Sequence, residues 1–202
     1  MPKNQTLDEF YSTFREEVLC ASDTETSGWT TEDFLTNVMM EYLEEAGEVT
    51  NPVICPFRGY GLQMNAYAIS EDCESVDIFV SIYSESDRPR SVSQADIDAA
   101  IKRAIQLYHK AINDLYTAFQ KDNDTYEFAI TLHQNKDNIK HVRICALTNG
   151  LVKPIALKNI TIGDAEISFS LWDVDRLYRC VTSGKMRETI EIDFEEKFQT
   201  SI

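Results

Sequence analysis

The sequence predicts an α/β fold, a single domain over residues 1–202 with a mixed β-sheet in the middle of three layers. Apolar side chains keep a helical period over residues 94–119, about seven turns. Two apolar stretches, residues 62–69 and 76–83, have strand character and are joined by the acidic turn SEDCES. Helical and strand patterns then alternate, and no repeat, low-complexity tract or Pro/Gly linker divides the chain.

Two amphipathic helices are predicted before this hairpin. The first covers residues 7–20, where apolar side chains recur at helical spacing: Leu7, Phe10, Phe14 and Val18. The second begins after Thr30 or Thr31, because threonine caps helix N-termini, and it ends before Gly47. Pro52 lies outside the helix.

The hairpin is the predicted centre of the fold. Strict alternation in its first strand assigns four residues to one face: Leu62, Met64, Ala66 and Ala68. The other face then receives Gln63, Asn65, Tyr67 and Ile69. The second strand, VDIFVSIY, is β-branched and aromatic, as a buried strand should be. Just before the hairpin, Gly59-Tyr60-Gly61 lacks the third glycine of a nucleotide-binding loop, and we interpret it as a turn.

The second half of the chain is predicted to begin with a long helix capped by Ser93. Residues 126–134 fit either a helix or a strand. The remaining predicted elements are a strand within residues 140–150, a strand at 166–172, a short helix from Asp173 to Gly184 and a final strand at 188–196.

The charge balance limits the choice of partners. Against 19 Lys and Arg stand 34 Asp and Glu, which gives a formal net charge of −15. A surface with this much negative charge repels the phosphate backbones of nucleic acids, and we therefore expect no broad nucleic-acid-binding face. A small basic pocket is compatible with this charge. No apolar run has the length of a membrane span, and five scattered cysteines without a CxxC pair indicate neither disulfides nor zinc. We therefore expect a soluble cytoplasmic protein that does not enter membranes.

One enzyme hypothesis arises from the hairpin. Metal-dependent nucleases of the restriction-endonuclease type hold Mg²⁺ with a strand carboxylate and a Glu-x-Lys on the next strand, often with a glutamate from the preceding helix. The candidate acids are Glu41 or Glu45 from the helix, with Asp72 or Asp77 from the hairpin. A restriction-endonuclease-like core is therefore one version of the predicted fold.

The same hairpin lacks the residues that this chemistry requires. Asn65 stands where the strand aspartate is needed, and Ser81 and Tyr83 stand at the positions of the Glu-x-Lys. An amide and a hydroxyl do not bind Mg²⁺ as carboxylates do, and the hairpin contains no lysine. The sequence thus favours a domain without catalysis or cofactor, and Mg²⁺ belongs only to the nuclease alternative.

Several phrases together carry a family resemblance: LDEFYSTFREEVL, FLTNVMMEYLEEAGEV, GLQMNAYAISEDCESVDIFVSIY, SLWDVDRLYRCV and ETIEIDFEE. From about residue 7 to residue 194, the chain resembles the N-terminal domain of the abortive-infection phage-resistance (AIPR) family of bacterial proteins. The resemblance implies a role in defence against phage, and a larger C-terminal domain that is absent from this chain. It supplies no catalytic motif.

Together these observations lead to a functional expectation. We expect a non-catalytic sensing or interaction module, with a Mg²⁺-dependent nuclease module as the alternative. The expected partner is the C-terminal region of the parent protein or another protein, and the chain could also form a homo-oligomer. Whichever of these partners binds, we expect its binding surface to be an exposed apolar patch or a dimer contact.

Overall fold

A six-stranded mixed sheet forms the centre of the molecule, and helices cover both of its faces. The computed structural model describes residues 6–24, 28–154 and 157–183. Its helices are α1 (Leu7–Thr24), α2 (Thr31–Glu45), α3 (Gln94–Ala111), α4 (Asp124–Gln134) and α5 (Val174–Thr182). Its strands are β1 (Val53–Gly59), β2 (Leu62–Ile69), β3 (Ser75–Ile82), β4 (His141–Thr148), β5 (Ile160–Ile162) and β6 (Ala165–Trp172). The α/β prediction is confirmed.

The strand order in the sheet is β1-β2-β3-β4-β6-β5. Strands β1, β2 and β3 form an antiparallel meander, β3, β4 and β6 run parallel, and β5 returns antiparallel to β6. A parallel neighbour requires a crossover, and α3 and α4 provide it between β3 and β4. Among the described residues, strands β1 and β5 are therefore the two edges of the sheet.

Each face of the sheet has its own apolar core. Helices α3 and α4 pack on one face, where Ile78, Val80 and Ile144 meet helix residues such as Ile97 and Phe128. Helices α1, α2 and α5 pack on the other face around Phe79, Cys145 and Trp172. No helix in the described part of the chain is long and apolar enough to cross a membrane.

The predicted helices are confirmed, with one correction to the long helix. It ends at Ala111 instead of continuing to residue 119, and a short 3₁₀ turn follows at Leu115–Ala118. The Nδ2 atom of Asn113 donates a hydrogen bond to the main-chain oxygen of His109, and such local bonds compete with helix continuation. Residues 126–134 belong to α4, whose N-cap Asn123 accepts a hydrogen bond from the Thr125 amide.

Strand β1 was not predicted from the sequence, and Pro56 is the reason. Proline cannot donate to a strand ladder, so a proline inside a strand is found at edges and bulges. Strand β1 is an edge strand, and its register with β2 shifts between Ile54 and Phe57, next to this proline. The predicted strand at 188–196 lies outside the described residues.

The predicted alternation of β2 is wrong in its first half. Leu62 and Met64 pack into the core beneath α3, whereas Ala66 and Ala68 pack into the core beneath α2. The change of face falls opposite the register shift between Ile54 and Phe57 of β1, where the two strands are out of step by one residue. Asn65 lies at this change of face.

A two-residue turn joins β1 to β2, as interpreted from the sequence. Both of its residues are left-handed, with φ of 54° at Tyr60 and 76° at Gly61. Type I′ hairpin turns have this geometry, and asparagine rather than an aromatic residue is the usual choice at their first position.

We therefore expect Tyr60→Asn to stabilise the domain by about 1 kcal/mol, because it relieves left-handed strain at a bulky residue. Urea unfolding measures this change, and Tyr60→Phe is the control that keeps the strain. A variant Tyr60→Asn less stable than the parent would show that the Tyr60 ring makes a stabilising contact.

Candidate functional site

A buried polar cluster lies where the N-terminal turn of α2 crosses β2 and β3, within an otherwise apolar core. Its members are Glu32, Asp33 and Thr36 of α2, Gln63 and Asn65 of β2, and Ser81 of β3. Five of the six side chains are almost fully buried, and Glu32 is the most accessible. Arg58 of β1 and Arg103 of α3 contact the cluster from its rim. We call these eight residues the polar cluster.

Two side-chain amides in the cluster replace strand pairing between β2 and β3. The regular register of these strands begins at the pair Ala66 and Phe79. Beyond that pair, the Ser81 amide donates to Asn65 Oδ1 at 2.9 Å, and Gln63 Nε2 donates to the Ser81 carbonyl at 3.1 Å. Because buried main-chain groups need partners, these two amides let the strands separate without leaving Ser81 unsatisfied.

Asp33 connects the start of α2 to the place where β2 and β3 separate. Its Oδ2 atom accepts hydrogen bonds at 2.8 Å from both the amide and the hydroxyl of Thr30, the residue before the helix. An acidic residue in the third helical position often reaches back in this way. Its Oδ1 atom accepts from Asn65 Nδ2 at 2.9 Å. Asn65 therefore uses both ends of its amide, one on β3 and one on α2.

Glu32 lies at the mouth of the polar cluster and is surrounded by donors. Its Oε1 atom accepts from Arg58 Nη2 at 3.0 Å, Gln63 Nε2 at 3.0 Å and Asn65 Nδ2 at 3.4 Å. Burial raises the pKa of Glu32 above its ordinary value, and the charge of Arg58 opposes this shift. Two further contacts complete the cluster: Arg103 Nε donates to Gln63 Oε1 at 2.9 Å, and the hydroxyls of Thr36 and Ser81 lie 2.6 Å apart.

The four acids proposed from the sequence lie elsewhere. Glu41 accepts a hydrogen bond from Asn37 on the exposed side of α2, and Glu45 is exposed at the end of that helix. Asp72 lies in the β2–β3 turn, where Ser70 and the Glu74 amide bond to its Oδ1 atom and lower its pKa. No hydrogen bond joins any two of these acids.

Asp77 forms a two-point ion pair with Arg143 of the neighbouring strand β4. The Arg143 Nε atom donates to Asp77 Oδ1 at 2.9 Å, and Nη2 donates to Oδ2 at 2.5 Å. The hydrogen bond with Asp77 raises the pKa of the arginine. Such bidentate pairs satisfy both partners, so Asp77 is used to join two strands.

The structure therefore places acids from α2 at the hairpin, but from the first turn of the helix rather than its end. Among residues 6–24, 28–154 and 157–183, no group of three or more His, Cys, Asp or Glu side chains is arranged to hold a metal ion. The family model for the abortive infection phage resistance protein N-terminal domain matches residues 35–179. The chain belongs to this family. The match begins within α2 and ends within α5, so it includes all six strands.

No curated protein and no solved structure matches this AIPR N-terminal domain. Family membership places the chain among abortive-infection proteins that act in phage resistance and antiviral defence.

Sequence reasoning anticipated Asn65 and Ser81 but missed four members of the polar cluster in this AIPR domain: Thr36, Gln63, Arg58 and Arg103. Glu32 and Asp33 were interpreted only as acids that favour a helix N-terminus. One signal was available, because Gln63 and Asn65 are neutral amides in a strand expected to be buried, and buried amides need partners. The direction in which α2 crosses the sheet decides which acids reach them, and helical periodicity carries no information on that direction.

The raised pKa of Glu32 has a consequence for stability. The stabilisation that Glu32 contributes is complete below its unfolded pKa, near 4.5, and is lost as the pH rises through the higher folded pKa. We expect the stability difference between the parent and Glu32→Gln to move against the parent as the pH rises from 4.5 toward neutrality.

Urea unfolding of both proteins across this pH range measures the effect. Glu41→Gln is the matched control, because it neutralises an exposed glutamate on the same helix. A parent-minus-variant difference that stays constant with pH would contradict the account of Glu32.

Proposed function

We propose that this AIPR N-terminal domain is a non-catalytic sensing or interaction module of an abortive-infection protein. The observation that supports the proposal is the internal saturation of the polar cluster. Asn65 Nδ2 donates to both Asp33 and Glu32, so N–H groups of the protein already lie against the carboxylates that a metal ion would need.

The residues around these carboxylates also argue against metal-assisted cleavage, because they supply neither further metal ligands nor a base. Mg²⁺ prefers an octahedron of oxygen ligands, and here the nearby strand positions supply an amide and a hydroxyl. The basic groups at the cluster are Arg58 and Arg103. Arginine remains protonated at all working pH values, so neither residue can serve as the base that activates a water molecule.

The alternative, a Mg²⁺-dependent nuclease module, has one observation in its favour. Two helix acids do meet the hairpin at Asn65, as nuclease chemistry requires of a helix glutamate. The domain should be incubated with plasmid DNA and tRNA, with Mg²⁺ or with EDTA, beside the variants Glu32→Gln and Asp77→Ala.

We expect no Mg²⁺-dependent cleavage by any of these proteins. Cleavage by the parent that disappears in Glu32→Gln or in Asp77→Ala would contradict the proposal and establish the nuclease. Cleavage that persists in both variants and is removed by repurification would come from a contaminant, and cleavage that persists through repurification would contradict the proposal.

We propose further that the module binds the C-terminal region of its parent protein or another protein, including a second copy of itself. Three large apolar side chains are exposed among the described residues: Val53, Tyr60 and Ile160. Val53 and Ile160 lie on opposite edge strands, where unpaired main-chain groups can accept a further strand. Light scattering of the chain alone tests self-association. Co-expression with a C-terminal region from a member of the family tests binding between the two regions.

A further inference from the structure

A surface groove lies on the α3 side of the sheet, away from the buried centre of the polar cluster. It has a volume of about 380 Å³, and Tyr60 of the β1–β2 turn is one of the residues that line it. Leu62 and Ile105 contribute apolar surface to it, while Gln106, His109 and Lys110 line it from α3. Its size falls within the range of small-ligand sites.

Tyr60 stands beside this groove with its ring almost entirely in solvent, 92% exposed. Its left-handed backbone is unfavourable for a bulky residue, and it makes no buried contact that would offset the cost. Strained residues of this kind cluster at active sites and ligand-binding sites. The two-residue turn fixes the main chain of Tyr60, and the exposed ring offers a flat surface for stacking.

The charge of the groove differs from that of the rest of the chain. The sequence has 34 acidic residues against 19 Lys and Arg, yet the described residues that line the groove include a lysine and a histidine and no acidic side chain. Within the described residues, no hydrogen bond or ion pair engages the side chains of Gln106, His109 or Lys110. These polar groups are therefore available to a ligand.

We propose that this groove binds a nucleoside phosphate. The base stacks on Tyr60, the phosphate pairs with Lys110, and Gln106 offers an amide donor and acceptor to the edge of the base or to the sugar. Stacking on an exposed aromatic ring contributes to nucleotide binding whatever the base, and a single lysine serves phosphate as a point charge. An acidic peptide would use Lys110 but would leave the exposed ring of Tyr60 without a flat partner.

A base and a phosphate that fit this groove could belong to a free nucleotide or to an unpaired nucleotide of a nucleic-acid strand. The net charge of −15 disfavours a long strand, because phosphates beyond the groove would meet a negative surface. This site is independent of the polar cluster, so the nuclease assay and the binding assay can fail separately.

Isothermal titration calorimetry of the whole chain tests the proposal. ATP, GTP, CTP and UTP are titrated in EDTA, beside hexauridylate and hexaglutamate. We expect the nucleotides to bind, and Tyr60→Asn to weaken them about tenfold or more while the domain stays folded in a thermal melt. Tyr60→Phe should bind as the parent does, because it keeps the ring. Lys110→Gln should weaken binding and reduce its salt dependence.

Lys136→Gln, at the exposed turn after α4, is the matched control for loss of one positive charge. Equal weakening by Lys136→Gln and Lys110→Gln would overturn the proposal, since only the net charge would then matter. Absence of nucleotide binding, unchanged binding in Tyr60→Asn, or binding of hexaglutamate alone would also overturn it. Hexauridylate that binds no more tightly than UTP identifies the free nucleotide as the source, and tighter hexauridylate binding identifies the strand; both results support the groove.

Discussion

Replacement of Asn65 by leucine is expected to destabilise the domain by about 4 kcal/mol, the largest effect we expect from a single side chain in the polar cluster. Leucine has the same branched arrangement of side-chain heavy atoms as asparagine and is larger, so no cavity forms and the loss would come mainly from the missing hydrogen bonds. The Ser81 amide and the Asp33 carboxylate would each lose a partner inside the protein. Each unsatisfied buried group costs about 1–3 kcal/mol, and more when it is charged.

Urea unfolding measures this change. Asn37→Leu is the matched control, because Asn37 lies on α2 outside the polar cluster and its amide donates to the exposed Glu41. We expect the control to change stability by less than about 1 kcal/mol. If both variants lose the same small amount, Asn65 does not hold β3 to α2, and the account of the polar cluster is wrong.

Replacement of Gly150 by alanine is expected to destabilise the domain by about 3 kcal/mol. A Cβ atom at this position would lie 2.5 Å from Val92 Cγ2 and 2.6 Å from the Arg90 carbonyl oxygen. The obstacle is partly main chain, so it cannot rotate away. Residues 90–92 and Leu151 exchange two hydrogen bonds here, Leu151 N to Arg90 O at 2.8 Å and Val92 N to Leu151 O at 2.9 Å.

The effect at Gly150 would extend beyond one contact. This segment leads from β3 into α3, and the Gly150 carbonyl also accepts a hydrogen bond from Val174 at the start of α5. Gly59→Ala is the control, because a Cβ atom there meets only Phe57 carbons, at 3.6 Å and beyond. Thermal or urea unfolding compares the two variants. A Gly150→Ala variant as stable as Gly59→Ala would show that the loop moves away at little cost.

Periodicity sufficed for the elements whose apolar faces are regular, and it failed where a local hydrogen bond or a bulge intervenes. The helical stripe of α3 and the β-branched run of β3 are visible in the sequence because packing on one face requires them. At the end of α3, Asn113 bonds back to His109, and the change of face in β2 falls where its register with β1 shifts beside Pro56. Neither depends on the hydrophobic pattern of the element that it alters.

The candidate site shows the same division. Asn65 and Ser81 were identified from the hairpin alone, because the strand positions of a nuclease site are fixed by local spacing. The helix acids were sought at Glu41 and Glu45, whereas the structure brings Glu32 and Asp33 to the hairpin. Which turn of a helix meets a strand is a property of tertiary packing, and a single sequence does not state it.

The central claim is that the carboxylates of the polar cluster are satisfied by the protein itself. Titration with Mn²⁺, followed by electron paramagnetic resonance of the free ion, tests this claim most directly, because Mn²⁺ occupies the oxygen sites that Mg²⁺ uses. We predict no stoichiometric Mn²⁺ binding that depends on Glu32, so the parent and Glu32→Gln should give the same titration. One tightly bound Mn²⁺ per chain in the parent, lost in Glu32→Gln, would contradict the claim and make the domain a metal-binding module.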